Sequence, residues 1–374
     1  MAAPDGIFLA RPDPPADGIP LAVKDLLDTA GLTTTYGSAI FVDHVPTQTA
    51  DSVARLEAAG YANVGKTNLH EFAYGITSEN VHFGTVPNPI APGRTAGGSS
   101  GGSAAALAAG LADVALGSDS GGSIRIPAAC CGIVGFKPTY DLVSTAGCFP
   151  LAPSFDHVGP MARTVEACEE MLRALAPGFE ARDLEALDDL RVGVAWLDEA
   201  DPLVRDRVAA AAAHFPNRDR VDLPRADIDA AFMREVADVH RELYEEHADL
   251  YGENVAVKIE RCLAITDAEA AAAARRRDDY RAEAERIAAG FDLLLTPTLS
   301  VVAPPVELGD LKLRGILTRN TLPVNALGWP ALALPCGAAE DGLPASAQII
   351  GRPGDDALVL AAGRRLASLL RGTA

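Results

Sequence analysis

Read only for hydrophobic and polar positions, the chain alternates short apolar runs with longer segments whose apolar residues recur every three or four positions. Residues 18–27, GIPLAVKDLL, form an apolar run of strand length, and 51–59, DSVARLEAA, carry helical spacing that stops at Gly60. Residues 61–65 read as the next strand. An Ala/Leu-rich segment of helical length follows Ser103, which is placed to cap it, and the apolar run 114–116 comes next. Beyond Pro160 the pattern predicts an amphipathic helix over 164–175, a strand over 191–196 and a helix from Asp201-Pro202 through Ala213. Residues 226–250 and 267–289 predict two long helices, the second opened by a capping box of Thr266 and Glu269 and stopped by Gly290. Runs at 293–296, 331–335 and 347–350 predict further strands, and a helix from Asp355 closes the chain. The alternation predicts an α/β protein, a mixed central β-sheet covered by helices on both faces.

Composition narrows this picture. A chain of 374 residues, 48% of them apolar, can bury a large core, and no linker or internal repeat divides it, so residues 1–374 are expected to form one domain. The first 17 residues lack a basic-then-apolar leader, and no apolar run reaches the ~18–20 residues of a membrane span, which predicts a cytoplasmic protein with no membrane association. A net charge of −19 argues against nucleic acid and anionic membranes as partners and for a soluble enzyme. The six cysteines show no C-x-x-C spacing, and Cys130 and Cys131 are adjacent, so they read as reduced, buried side chains, with a cysteine nucleophile as a minor reading. His240 and His247, seven apart, lack the spacing of a metal pair, and no metal or cofactor is expected. The runs Arg275-Arg276-Arg277-Asp278-Asp279 and Glu245-Glu246 read as solvated helix faces.

The candidate chemistry lies in two glycine-serine clusters, residues 97–103 (GGSSGGS) and 120–123 (SGGS). Each abuts an apolar segment, which a flexible linker would not, so these glycines belong to fixed turns where backbone amides can approach a ligand. Phosphate binding would call for Gly-Lys-Ser/Thr or GxGxxG, and neither occurs. The remaining chemistry is acyl transfer, with a serine attacking a carbonyl and amides stabilising the oxyanion. None of the seven histidines sits in an obvious triad order. A lysine, Lys24, does interrupt the apolar run 18–27, in a chain with only five lysines against 27 arginines. Burial lowers a lysine pKa by up to ~3–5 units and would supply a neutral amine, while snorkelling or pairing with Asp25 is the competing structural role.

The segments GIPLAVKDLLDTAGLTTTYGS, AGGSSGGSAAALAAG, GSDSGGSIRIPAACCGIVGFKPTY and SFDHVGPMARTV, in this order, resemble the amidase signature family of serine hydrolases. They cover most of residues 18–165, and LLLTPT, NALGWPALALP and GLPASAQIIG extend the likeness over 290–374, whose strands and final helix complete the same sheet. The resemblance implies a Ser-Ser-Lys triad with Ser123 as nucleophile, Ser99 as the bridging serine and Lys24 as base. It also implies a cis peptide between Gly98 and Ser99 and an oxyanion hole built from the amides of Ser120, Gly121, Gly122 and Ser123. Asp119 and Arg125 flank the nucleophile turn and read as an ion pair that fixes the loop.

The serine clusters are expected on connections at one edge of the sheet, with residues 71–80 lining the pocket. Asn325 reads as a pocket or core residue, and Trp329 as core. Family members normally carry a helical region before the lysine strand, where this chain has about twenty residues. That predicts a more open site and leaves the oligomeric state undetermined. Asp141 and Ser346 stand where glycine is common in the family, which bears on loop shape and substrate preference. The activity implied by the resemblance is hydrolysis of a small-molecule carboxylic amide to carboxylate plus ammonia or amine through an acyl-enzyme. The alternatives are the glutaminase (A-type) subunit of a tRNA-dependent amidotransferase and a catalytically silent binding protein.

Overall fold

An 11-stranded mixed sheet runs through the molecule. The computed structural model describes residues 6–15, 17–225 and 227–372. The strands are β1 (Phe8–Ala10), β2 (Ile19–Lys24), β3 (Tyr61–Thr67), β4 (Val114–Ser118), β5 (Val134–Lys137), β6 (Val158–Ala162), β7 (Val192–Val194), β8 (Arg218–Arg220), β9 (Leu293–Pro297), β10 (Ala331–Ala338) and β11 (Pro344–Ile350). They lie in the order β1-β3-β2-β4-β6-β5-β10-β11-β9-β7-β8. Parallel pairing joins β2 to β3 and β4, and β7 to β8 and β9; the other neighbours are antiparallel. The two halves of the chain meet where Ala331–Ala333 of β10 pairs with Gly135–Lys137 of β5.

The interior strands are apolar without alternation because both faces of the sheet are covered. Leu21, Val23 and Leu116 face a core that includes Leu172, Val208 and Leu366 from three helices. Their neighbours Ala22 and Ala115 face the opposite side, against the alanines of the helix Gly101–Ala108, where small side chains let helix and sheet approach closely. Trp329 is buried in a further cluster with Phe155 and Phe232, as its apolar setting predicts. Replacing it by alanine is expected to lower the unfolding free energy by about 3–5 kcal/mol, measured by urea denaturation.

Several elements differ from expectation. The helix Gly101–Ala108 begins two residues before Ser103, whose hydroxyl bonds to Thr67 Oγ1 at 2.9 Å instead of capping. The segment 226–250, whose first residue lies outside the described residues, is the helix Asp229–His247 followed by a single tight turn, and a separate helix, Glu253–Leu263, follows. The strand expected over 191–196 shortens to Val192–Val194, since Trp196 adopts a left-handed conformation. The first 17 residues hold strand β1, while residues 1–5 and 16 lie outside the described residues. By contrast, the helix Asp267–Ala288 opens on the predicted capping box, with Thr266 Oγ1 accepting from Glu269 N and the Glu269 carboxylate accepting from Thr266 N. Arg277 does not belong to a solvated face: it is buried, stacks over Phe155 at 3.7 Å and donates to Ser154 O and Ala326 O. No helix among the described residues is long and apolar enough to cross a membrane.

Candidate active site

Four of the five lysines, Lys24, Lys66, Lys137 and Lys258, are buried. Lys24 closes β2, and the parallel register that sets Val23 beside Leu116 of β4 carries its side chain towards the end of β4. There Nζ lies 2.6 Å from Ser99 Oγ and 2.8 Å from Ser118 Oγ. Its neighbour Asp25 takes no part, because it pairs with Lys66 at 3.1 Å and accepts from Thr35 N and Oγ1. Lys24 therefore neither snorkels nor pairs with Asp25. Full burial pulls its pKa down to about 7, against the opposing pull of Cys148, Asp119 and Asp156.

Ser99 follows a cis peptide bond to Gly98. A Cβ at residue 98 would stand 2.8 Å from Ser78 N, so glycine is required by the close approach of the 76–78 backbone. Ser78 Oγ donates to Ser99 O at 3.2 Å and accepts from Gly101 N at 3.1 Å. Ser78 thus supports the first serine turn, and a cavity of about 180 Å³ is lined by residues outside 71–80, Leu26, Ser118, Ser120, Tyr140, Cys148 and Phe149 among them.

The second turn follows β4, an interior strand, and does not lie at an edge of the sheet. It meets the first through Ser100, whose N donates to Ser123 O at 3.2 Å and whose Oγ donates to Ser118 O at 3.2 Å. Ser123 is buried with 5% exposure, and its hydroxyl makes no hydrogen bond among the described residues, to Ser99 included. Of the four amides expected to face an oxyanion, Gly122 N instead donates to Asp119 Oδ1 at 2.8 Å. Those of Ser120, Gly121 and Ser123 donate to nothing among the described residues. The Ser120 hydroxyl is tied to Asp156 Oδ1 at 2.5 Å.

Asp119 and Arg125 form the expected fully buried ion pair, with Arg125 Nε on Oδ2 at 3.0 Å and Nη2 on Oδ1 at 2.9 Å. Burial pushes the Asp119 carboxyl up, but Arg125, Lys137 and the Asn325 amide outweigh it and hold it well below the usual carboxylate range. Arg125 also donates to Asn325 Oδ1 at 2.6 Å and Gln348 Oε1 at 2.7 Å, so the turn after β4 is tied to β11. Sequence reasoning missed Ser118, Ser78, Asp156 and Gln348. Ser118 had a signal, a serine ending an apolar strand, but its meeting with Lys24 depends on inter-strand register, which one strand's residues do not carry. A cysteine nucleophile loses support, since burial pushes the Cys148 thiol up to about 12. Asp141 adopts φ +65°, a conformation that favours glycine, while Ser346 sits in β11 with its hydroxyl 2.9 Å from Thr298 Oγ1.

A buried amine near neutrality beside a serine, with unbonded amides on the adjoining turn, is equipment suited to acyl transfer. An amidase family model matches residues 3–217 and 184–360, and the chain belongs to the amidase family, enzymes that act on C–N amide bonds. The A-type subunit of the glutamyl-tRNA(Gln) amidotransferase of Natronomonas pharaonis is 36% identical, with 95% of this chain and 96% of that protein covered. AtzE, a subunit of the 1-carboxybiuret hydrolase of Pseudomonas sp. strain ADP, is also 36% identical, across 94% of this chain and 84% of its own length. A crystal structure of an amidase superposes with a TM-score of 0.85 at 36% identity, covering 94% of this chain and 84% of that one.

Proposed function

We propose that this chain hydrolyses a carboxylic amide to carboxylate plus ammonia or amine through an acyl-enzyme on Ser123, with Lys24 as base and Ser99 as relay. The observation that carries the reading is the fully buried Lys24 Nζ, with a pKa near 7, 2.6 Å from Ser99 Oγ. A neutral amine there accepts the Ser99 proton while Ser99 accepts that of Ser123, whose Oγ attacks the amide carbon. The oxyanion is received by the amides of Ser120, Gly121 and Ser123. Collapse of the tetrahedral intermediate breaks the C–N bond, and the proton returns through Ser99 to the leaving nitrogen. Water then repeats the sequence on the ester and frees Ser123. Asp119 and Arg125 hold the turn in shape and exchange no proton.

The test is a panel of aliphatic and aryl amides, butyramide and benzamide among them, with fluorophosphonate labelling and mass spectrometry of the adduct. Acylation of the peptide containing Ser123 is expected. An adduct elsewhere, or none, overturns the assignment. The similarity to the Natronomonas protein supports a second reading, a glutaminase subunit that works with a partner protein. Glutamine-dependent ammonia release that appears only when a co-purifying partner is present would favour it over the stand-alone enzyme.

A further inference from the structure

His157 and Asn325 belong to motifs, SFDHVGPMARTV and NALGWPALALP, that no proton-transfer step above uses. Both side chains are buried and converge on one atom, the Asp119 carbonyl oxygen. That oxygen accepts from His157 N at 3.1 Å, His157 Nδ1 at 3.2 Å and Asn325 Nδ2 at 2.9 Å. The protonation of the imidazole follows from its neighbours. Nδ1 faces two carbonyls, Phe155 O at 2.7 Å and Asp119 O at 3.2 Å, which only accept, so Nδ1 carries the hydrogen. Nε2 is then the acceptor for Lys137 Nζ at 3.1 Å, and Lys137 is anchored by donating to Trp329 O at 2.6 Å and Pro138 O at 3.1 Å.

The carbonyl of Asp119 and the N–H of Ser120 are two ends of one peptide unit. A trans peptide is planar, so whatever fixes the direction of the C=O fixes the N–H that points the opposite way. Resting on the acyl-enzyme reading, we infer that His157 and Asn325 are positioning residues: they grip the Asp119 carbonyl so that the Ser120 N–H is aimed at the developing oxyanion. Neither touches the substrate. Donors on the carbonyl also polarise the peptide and strengthen its N–H as a donor. Charge growing on the substrate oxygen polarises the same peptide further, so the grip tightens in the transition state more than in the bound ground state. Its loss therefore falls on kcat and leaves KM in place.

Two substitutions at one position separate this role from simple core filling. In His157→Asn the carboxamide N–H₂ reaches the place of Nδ1 and keeps the bond to Asp119 O. In His157→Gln the longer side chain reaches the place of Nε2, meets Lys137 and leaves Asp119 O. The second-order rate of fluorophosphonate labelling, and kcat and KM on the best amide of the panel, are compared at equal folded concentration. His157→Asn is expected within about threefold of wild type, and His157→Gln at least about tenfold slower in labelling and kcat with KM within about twofold. Equal rates for His157→Gln and wild type, a loss carried by KM, or an Asn variant as slow as the Gln variant would overturn the inference. Should His157→Gln fail to fold by circular dichroism, His157→Leu removes the same side-chain donor while leaving the Asn325, Arg125 and Asp119 bonds in place, and is read in the same way. Absence of labelling in the wild-type chain sinks the acyl-enzyme reading and this inference together. Normal wild-type labelling with an unaffected Gln variant sinks the inference alone.

Discussion

Ser123→Ala is expected to abolish amide hydrolysis, with kcat falling by at least about 10³-fold, and to remove fluorophosphonate labelling altogether. The size of the loss follows from what the hydroxyl is free to do. It makes no hydrogen bond among the described residues, yet it sits on a turn that carries three unbonded amides and is braced by a buried ion pair. Alanine fits the same turn, so folding should be unaffected, and the melting temperature is the control. What remains after the substitution is only the contribution of the amides and of substrate binding. Full activity in this variant would exclude Ser123 as nucleophile, whatever the fold.

The second large effect concerns Lys24. Its amine acts as base only when neutral, and the folded-state pKa is about 7. Below that value the neutral fraction falls tenfold for each pH unit, so kcat/KM is expected to rise with pH through about 7 and then to level. Lys24→Met should lower kcat by at least about 10³-fold and remove this limb of the profile. The same substitution should not cost stability. The folded pKa lies below the unfolded value of 10.5, so the folded state is penalised at every pH below 10.5. The penalty grows as pH falls towards 7, where it is on the order of 4 kcal/mol, and then stays constant. Methionine follows the side chain as far as Cε, ends one atom short of Nζ and carries no such penalty, although it gives up the bonds to Ser99 and Ser118. Lys24→Met is therefore expected to melt no lower than wild type at pH 7. A variant that is inactive because it is unfolded would contradict this account; one that is inactive and as stable supports it.

The residues that bind these two effects together were legible to different degrees. Lys24 stood out because a charge inside an apolar run is costly unless something uses or pairs it, and its side-chain partners among the described residues are two serines of the neighbouring motifs. The ion pair of Asp119 and Arg125 was legible because the two lie six residues apart across one short turn. Ser118 escaped, although it lies in the same motif, since only the parallel register of β2 and β4 brings it within 2.8 Å of Lys24. Gly122 shows the opposite error: it has the expected residue type, but its amide is turned to Asp119 Oδ1. Arg277 looked solvated from its charged neighbours, yet the face it shares with Ala273 and Tyr280 packs inward.

By itself, the sequence determined the α/β alternation, the capping box at Thr266, the burial of Trp329 and the family to which the chain belongs. These are carried by local periodicity, turn chemistry and short motifs, which act over a few residues. Only the tertiary structure decided that the serine turns flank an interior strand, that Ser78 supports the first turn, and that His157 and Asn325 grip one carbonyl. Those arrangements depend on strand register and on contacts across up to 206 residues, as between Asn325 and Asp119. Register is set by the simultaneous burial of many side chains on both faces of the sheet, and no single segment contains that sum.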